Sequence, residues 1–294
     1  MKRVSKKRAA VVADESPAPP PPVSAPGLKW FGWTDRGKVR ANNEDSFLGL
    51  RFDAREVQHL GRVGEASLAN MDYAFAVSDG MGGAKAGELA SRITVEKLTL
   101  LLPRSFQQAA TGLAAGFADV LTELYDKIHR ALVFVGGSYD ECHGMEATLS
   151  LCWFTPQWMY FGHIGDTRIY YLPAREGGIK QLSHDDTHVG WLFRNGKLNE
   201  REARTHPRRT VLQKALGGGN QFVDPQVGAV GYERGDIFLI CSDGLTDGLY
   251  DRDLLELVRT PPAGADENPA KRLVEASLKQ SGRDNTTVLV IEAV

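Results

Sequence analysis

The sequence predicts an α+β fold built in layers, and three observations carry that reading. Short stretches rich in β-branched, aromatic and aliphatic residues, at Tyr73–Val77, Trp158–Ile164, Ile237–Cys241 and Thr287–Ile291, read as buried strands. Two long helical patterns fall between the first and second of them. More strands follow without a regular strand–helix alternation, which argues against a doubly wound parallel sheet.

The first helix is expected from near Lys85 to a stop before Pro103, with Ala86, Leu89, Ala90 and Ile93 on one face. The second is expected from about Phe106 to Val133. Its apolar residues Leu113, Phe117, Val120, Leu121, Leu124, Ile128 and Leu132 recur at helical spacing. Laid antiparallel over a sheet, the two would bury that stripe. A shorter helix is expected at Asn268–Lys279. Residues 184–219, polar and rich in Gly, Arg and His, form too long an excursion for a simple connection and read as a surface flap over a site.

Residues 1–27 differ from all that follows. A basic start (Lys2, Arg3, Lys6, Lys7, Arg8) passes into a proline-rich run from Ser16 to Gly27 with almost nothing to bury, so this segment is expected to be a disordered or polyproline-II tail. The remainder, 28–294, is expected to be one domain.

A net charge of −2 and a pI near 6.4 give no global pull toward nucleic acid or anionic membrane. No run approaches the roughly 18 apolar residues of a membrane span, and the h-region of a signal peptide does not follow the basic start. The three cysteines, Cys142, Cys152 and Cys241, are widely spaced in apolar or small-residue surroundings and look like buried thiols, not a disulfide framework or a zinc site. A cytoplasmic monomer is the expectation.

The chemistry concentrates in aspartates. Asp79 and Asp243 each end an apolar run in the same Ser-Asp-Gly; Asp166 follows Tyr160-Phe-Gly-His-Ile-Gly165; Asp284 precedes a strand; and Asp45 lies in Asn42-Asn-Glu-Asp-Ser46. A carboxylate at the end of a buried strand is costly unless neutralised, and several meeting at one sheet end would raise one another's pKa. A divalent cation removes both costs. Carboxylate ligands without Cys or His select a hard ion, Mn²⁺ or Mg²⁺, over Zn²⁺. Gly80, Gly82 and Gly83 would let main chain approach it, and the Gly80 carbonyl is itself a candidate ligand. Any one Asp-Gly could simply be a turn; the set argues otherwise.

Arg40, close in sequence to Glu44 and Asp45, has the planar fork that holds phosphate oxygens, although alone it would read as a surface salt bridge. Gly80-Met-Gly-Gly-Ala-Lys-Ala-Gly87 lacks the Gly-Lys-Ser/Thr end of a P-loop and the glycine spacing of a dinucleotide turn. No Gly-x-Ser-x-Gly elbow or reactive cysteine supports a covalent nucleophile. His163, inside a strand, reads as a satisfied core residue.

These residues, in this order, resemble the metal-dependent protein phosphatases of the PPM family, type 2C, in their bacterial form. The resemblance covers residues 30–294. It rests on Thr34-Asp-Arg-Gly-Lys-Val-Arg-Ala-Asn-Asn-Glu-Asp-Ser46, Val77-Ser-Asp-Gly-Met-Gly-Gly83, Gly165-Asp-Thr-Arg168, Cys241-Ser-Asp-Gly-Leu-Thr-Asp247 and Asp284-Asn-Thr-Thr287. It implies a central antiparallel β-sandwich flanked by helix pairs, with two ions in a cleft at one end. By position, Asp79 bridges both ions with the Gly80 carbonyl, Asp243 and Asp284 hold one, and Asp45 acts on the other, with Glu44 a weaker candidate. Asp166, with Asp243, matches a third-ion site. Arg40 binds the substrate phosphate. The implied reaction is hydrolysis of phosphoserine and phosphothreonine in proteins by a metal-activated water, without a phosphoenzyme, opposing a Ser/Thr kinase.

The chain departs from the family pattern in places. Met81 stands where animal members carry a histidine proposed as general acid, a feature bacterial members share. Glu146 and Ala147 interrupt a usual Gly-Thr/Ser-Thr, Asp186 replaces a usual His, and Phe52–Asn70 is longer than in compact members. Two rival readings stand beside the main one: a phosphate-sensing scaffold of the same fold, disfavoured by the full acidic set, and a hydrolase of small phosphoesters, disfavoured by the lack of a nucleobase-stacking signature.

Overall fold

The computed structural model describes residues 26–110, 116–220 and 222–294. The chain opens with β1 (Gly27–Asp35), β2 (Asp45–Phe52), β3 (Val57–His59), β4 (Val63–Ser67) and β5 (Asp72–Met81). A helical hairpin follows, α1 (Ala84–Ala110) and α2 (Phe117–Ser138), and then β6 (Glu146–Ala147), β7 (Leu149–Phe154), β8 (Trp158–Ile164), β9 (Arg168–Leu172) and β10 (Lys180–Gln181). The excursion at 184–219 carries α3 (His188–Arg194), α4 (Glu200–Thr205) and β11 (Leu216–Gly217). The chain closes with β12 (Gln226–Gly231), β13 (Ile237–Cys241), α5 (Asp243–Gly248), α6 (Asp251–Arg259), α7 (Pro269–Gln280) and β14 (Thr286–Ala293).

The strands form two antiparallel sheets. One runs β10-β9-β13-β14-β1-β4; the other has β5 at its centre, with β2 and β3 on one side and β7, β8 and β12 on the other. Alternate residues of both sheets meet in a shared interior, Leu28 and Trp30 of β1, Tyr73, Phe75 and Val77 of β5, Phe238 and Ile240 of β13, Leu289 and Ile291 of β14. That period of two is what a pleated strand imposes on a one-faced core. Leu121, Leu124, Ile128 and Leu132 of α2, with Leu98 and Leu102 of α1, cover the β5 sheet, while Leu254, Leu273 and Val274 from α6 and α7 cover the other. The result is the expected α-β-β-α layering.

The helical hairpin corrects the sequence reading at two points. α1 does not stop before Pro103 but runs through it to Ala110. An interior proline costs a helix about 3 kcal/mol, and here it falls just after the fully buried Leu98 and Leu102. The second helix starts at Phe117, not near Phe106, because Gly116 at φ 135° breaks the helical path. Its stripe Val120, Leu121, Leu124, Ile128 and Leu132 is buried as expected; Leu113 lies outside the described residues. So does most of the expected tail, whose last residue, Gly27, already belongs to β1. The extra length at Phe52–Asn70 supplies edge strands: β3 extends one sheet beside β2 and β4 extends the other beside β1. Among the described residues no helix is long and apolar enough to cross a membrane, and the cysteines are free and buried.

Candidate metal centre

The sandwich brings five aspartates to one end. β2 begins where β5 finishes, so Asp45 and Asp79 are direct partners in that ladder. β13 ends at Cys241 and the chain turns into α5 with Asp243 as its first residue. Asp284 enters β14 beside it, and Asp166 follows the β8–β9 turn at Gly165, whose φ of 106° only glycine holds at little cost.

The acids lie near enough to act on one another's ionisation. Burial pushes the Asp79 carboxyl well above the usual carboxylate range, and the charges of Asp45, Asp243, Asp166 and Asp284 push it further. Asp243 is driven up by burial and by Asp166, Asp247, Asp284 and Asp45. Burial lifts Asp45 to about 6 against the pull of hydrogen bonds from Ser242 and Thr287. Asp166 rises to about 7 through burial and the charge of Asp185, with Arg168 opposing.

Two buried oxygens of this cluster, Asp45 Oδ1 and Asp243 Oδ1, have no hydrogen-bond partner. A buried carboxylate oxygen without a partner is the position a hard cation would satisfy, so the donor chemistry fits Mn²⁺ or Mg²⁺. Among the described residues no three acidic, histidine or cysteine side chains stand together tightly enough to hold an ion as they are. Two of the oxygens are engaged elsewhere: Asp284 Oδ2 accepts from Arg40 Nη2 at 2.7 Å, and Asp45 Oδ2 accepts from Ser242 Oγ at 2.7 Å.

Arg40 therefore lies at the rim of the cluster, half-exposed, with Nη1 also 3.6 Å from Glu44 Oε2. Gly80 is required by packing: a Cβ there would fall 1.9 Å from the Gly87 carbonyl oxygen in the first turn of α1. Its N–H donates to the Glu44 carbonyl at 3.2 Å. His163 is a satisfied core residue. Its Nδ1 meets Ser150 Oγ at 2.9 Å and its Nε2 faces the carbonyls of Gly165 and His184, both at 3.1 Å, while burial pushes its pKa down to about 4.

Several residues that the sequence reading passed over hold the acids in place. Thr148 Oγ1 accepts from the Asp79 N–H at 2.9 Å, and the Ser78 hydroxyl donates to the Thr148 carbonyl at 2.7 Å. Ser242 Oγ, besides donating to Asp45, accepts from the Thr287 N–H at 2.9 Å. Asn285 Oδ1 accepts from the Glu44 N–H, and its amide donates to the carbonyls of Arg36 and Asn42. Ser78 and Ser242 come from the two Ser-Asp-Gly sequences, and that repetition was the available signal.

The departures at 146, 147 and 186 also find places. Ala147 is fully buried opposite Gly80, and Glu146 points toward Gly218 at the base of the flap. Burial alone raises the Glu146 carboxyl, without a contribution from the clustered aspartates. Asp186 Oδ2 accepts from the Gly165 N–H at 3.1 Å, bracing the turn before Asp166, and Asp185 grips Arg168 through two bonds of 2.8 and 2.6 Å. A cleft of about 380 Å³ is lined by Asp166, Asp243 and Asp247 together with Phe193, Arg194 and Arg204 of the flap.

Residues 63–279 match the family model described as protein phosphatase 2C. The chain is 32% identical over 271 residues to the serine/threonine protein phosphatase PstP of Mycobacterium tuberculosis, covering 91% of this chain and 45% of that protein. It therefore spans less than half the length of that relative. With the serine/threonine phosphatase stp of Listeria innocua it shares 29% identity over 261 residues, 88% of this chain and 93% of the relative. The fold matches the crystal structure of the catalytic domain of PstP in complex with two manganese ions at a TM-score of 0.70 and 29% identity, covering 92% of this chain and 99% of that one.

Proposed function

This chain belongs to the protein phosphatase 2C family, and from that premise we propose that it hydrolyses phosphoserine and phosphothreonine in proteins with Mn²⁺ or Mg²⁺, opposing a Ser/Thr kinase. One observation carries the reading: Asp45 and Asp243 each keep a buried oxygen without a partner amid mutually repelling carboxylates. A scaffold with no ion to bind gains nothing from that cost.

In this reading Asp79 and the Gly80 carbonyl would serve both ions, Asp243 and Asp284 would hold one, Asp45 would act on the other, and Asp166 with Asp243 would offer a further position. Bound there, such ions would make a water acidic enough to lose a proton and attack phosphorus, and would offset charge on the phosphoryl oxygens. The chain's own residues do the rest. Ser242 turns Asp45 Oδ2 aside and leaves Oδ1 facing the recess. Thr148 fixes the main chain at Asp79 from both sides, accepting its N–H on Oγ1 and donating its own N–H to the Asp79 carbonyl. Arg40, at the rim beside Asp284, offers its fork to the phosphoryl oxygens. Met81 carries no proton to give, so the leaving group takes its proton from elsewhere than this side chain. Three buried free thiols suit a reducing cytoplasm, where we place the protein as a single copy.

The test is phosphate release from a phosphothreonine peptide with Mn²⁺ and with EDTA, alongside nucleotides. Release that needs the metal and favours the peptide is expected. Release indifferent to EDTA, or faster from nucleotides, would end this reading.

A further inference from the structure

Helix α5 is six residues long, carries Asp243 at its first position, and is too short to fix its own direction. Its carbonyls show what fixes it. Those of Gly244 and Leu245 accept from Ser277 Oγ of α7 at 2.8 and 3.2 Å. Thr246 O accepts from Arg204 Nη1 at 2.6 Å, and Leu249 O, just beyond the helix, accepts from Nη2 at 2.5 Å. Arg204 belongs to α4, in the flap. Its guanidinium lies 3.8 Å over the Tyr250 ring and its Nε is 3.4 Å from Glu200 Oε1. A cation at a helix C-terminus also suits the helix dipole. The flap therefore reaches across the cleft and caps the far end of the helix that presents Asp243.

We propose that Arg204 is a positioning residue: docked on Thr246, Leu249 and Tyr250, it sets α5 and so the reach of Asp243 toward a cation, making flap closure and readiness of the acidic site one event. This inference rests on the reading of the recess as a metal centre. Coupling of this kind is reciprocal, so a cation in the recess also holds the flap down. Lysine cannot replace Arg204, since one ammonium lacks the planar fork that serves two carbonyls and stacks on a ring.

The experiment is calorimetric titration of Mn²⁺ into the full chain, wild type, Arg204→Ala, Arg204→Lys and Tyr250→Leu, together with limited trypsin digestion of the flap with and without Mn²⁺. Loss of a residue that orients a metal ligand costs about 10–100-fold in affinity. We expect about tenfold weaker Mn²⁺ binding in both Arg204 variants and a smaller loss in Tyr250→Leu. Mn²⁺ should protect the flap in wild type and much less in the Arg204 variants. If Arg204→Ala does not fold, Tyr250→Leu decides by the same two readouts. Variants that bind Mn²⁺ as wild type does, even with a flap cleaved faster, overturn the positioning role. Wild type that binds no Mn²⁺ overturns the metal reading itself, which the same titration distinguishes.

Discussion

Asp45 and Asp79 stand directly opposite each other on antiparallel β2 and β5, like charges facing across a ladder. Such a pair destabilises a sheet, and here burial and the neighbouring acids compound the cost, pushing both carboxyls upward. The arrangement is stable against its own charge only when protons or cations occupy it.

The metal-free protein should therefore lose stability as pH rises. Unfolded aspartates titrate near 3.9, whereas Asp45 is pushed up to about 6 and Asp166 to about 7. Between about pH 4 and 7 the native state holds more protons than the unfolded one, so the unfolding free energy falls with rising pH. The stability is fully present below the unfolded pKa and lost once pH passes the folded value. Thermal unfolding in EDTA should show a midpoint falling from pH 5 to 7.5, and Mn²⁺ should remove most of the fall. A flat profile in EDTA would show that the acids do not repel as described.

Asp243→Asn should nearly abolish turnover with the fold intact. The amide keeps the shape but loses the charge and one acceptor oxygen, and Asp243 Oδ1 is one of the unpartnered buried atoms. The loss should exceed the roughly 10–100-fold that follows removal of a group merely supporting a ligand. Removing a repelling charge should leave the metal-free protein as stable as before, or more so. Near-normal activity with added Mn²⁺ would count against the assignment.

What was legible beforehand was local. An apolar run ending in Asp announces a carboxylate at the end of a buried strand, and Asp79 and Asp243 were readable for that reason. The strands Trp158–Ile164 and Ile237–Cys241 have the bounds expected. What was not legible depends on partners far along the chain. Pro103 reads as a stop on local grounds, yet α1 continues through it to Ala110. Ser242 acts through Asp45, 197 residues away, and through Thr287. Arg204 is one arginine among many until the flap folds onto α5.

Arg40→Ala separates two roles that the geometry joins. The guanidinium donates to Asp284 at 2.7 Å, and that contact is the first cause of its raised pKa. If Arg40 serves phosphate, the variant should raise KM for p-nitrophenyl phosphate by about tenfold or more, the value of a lost charge-assisted bond, while the Mn²⁺ titration barely moves. An equal loss in metal binding would instead make Arg40 an organiser of Asp284.

Ser242→Ala isolates the support beneath the acids. The hydroxyl donates to Asp45 Oδ2 and accepts from the Thr287 N–H, all within the interior. Alanine strands the Thr287 N–H and takes one of two hydrogen bonds from Asp45, which is the costly way to remove a hydrogen bond, at about 1–3 kcal/mol per stranded group. Freed of its donor, Asp45 also loses one of the interactions that hold its pKa down, so the proton is held more tightly and a cation must compete with it. The variant should unfold at lower denaturant with an unchanged slope, and its Mn²⁺ affinity should fall more at pH 6 than at pH 8. A stability loss with no pH-dependent change in affinity would make Ser242 a purely structural link between β13, β14 and β2.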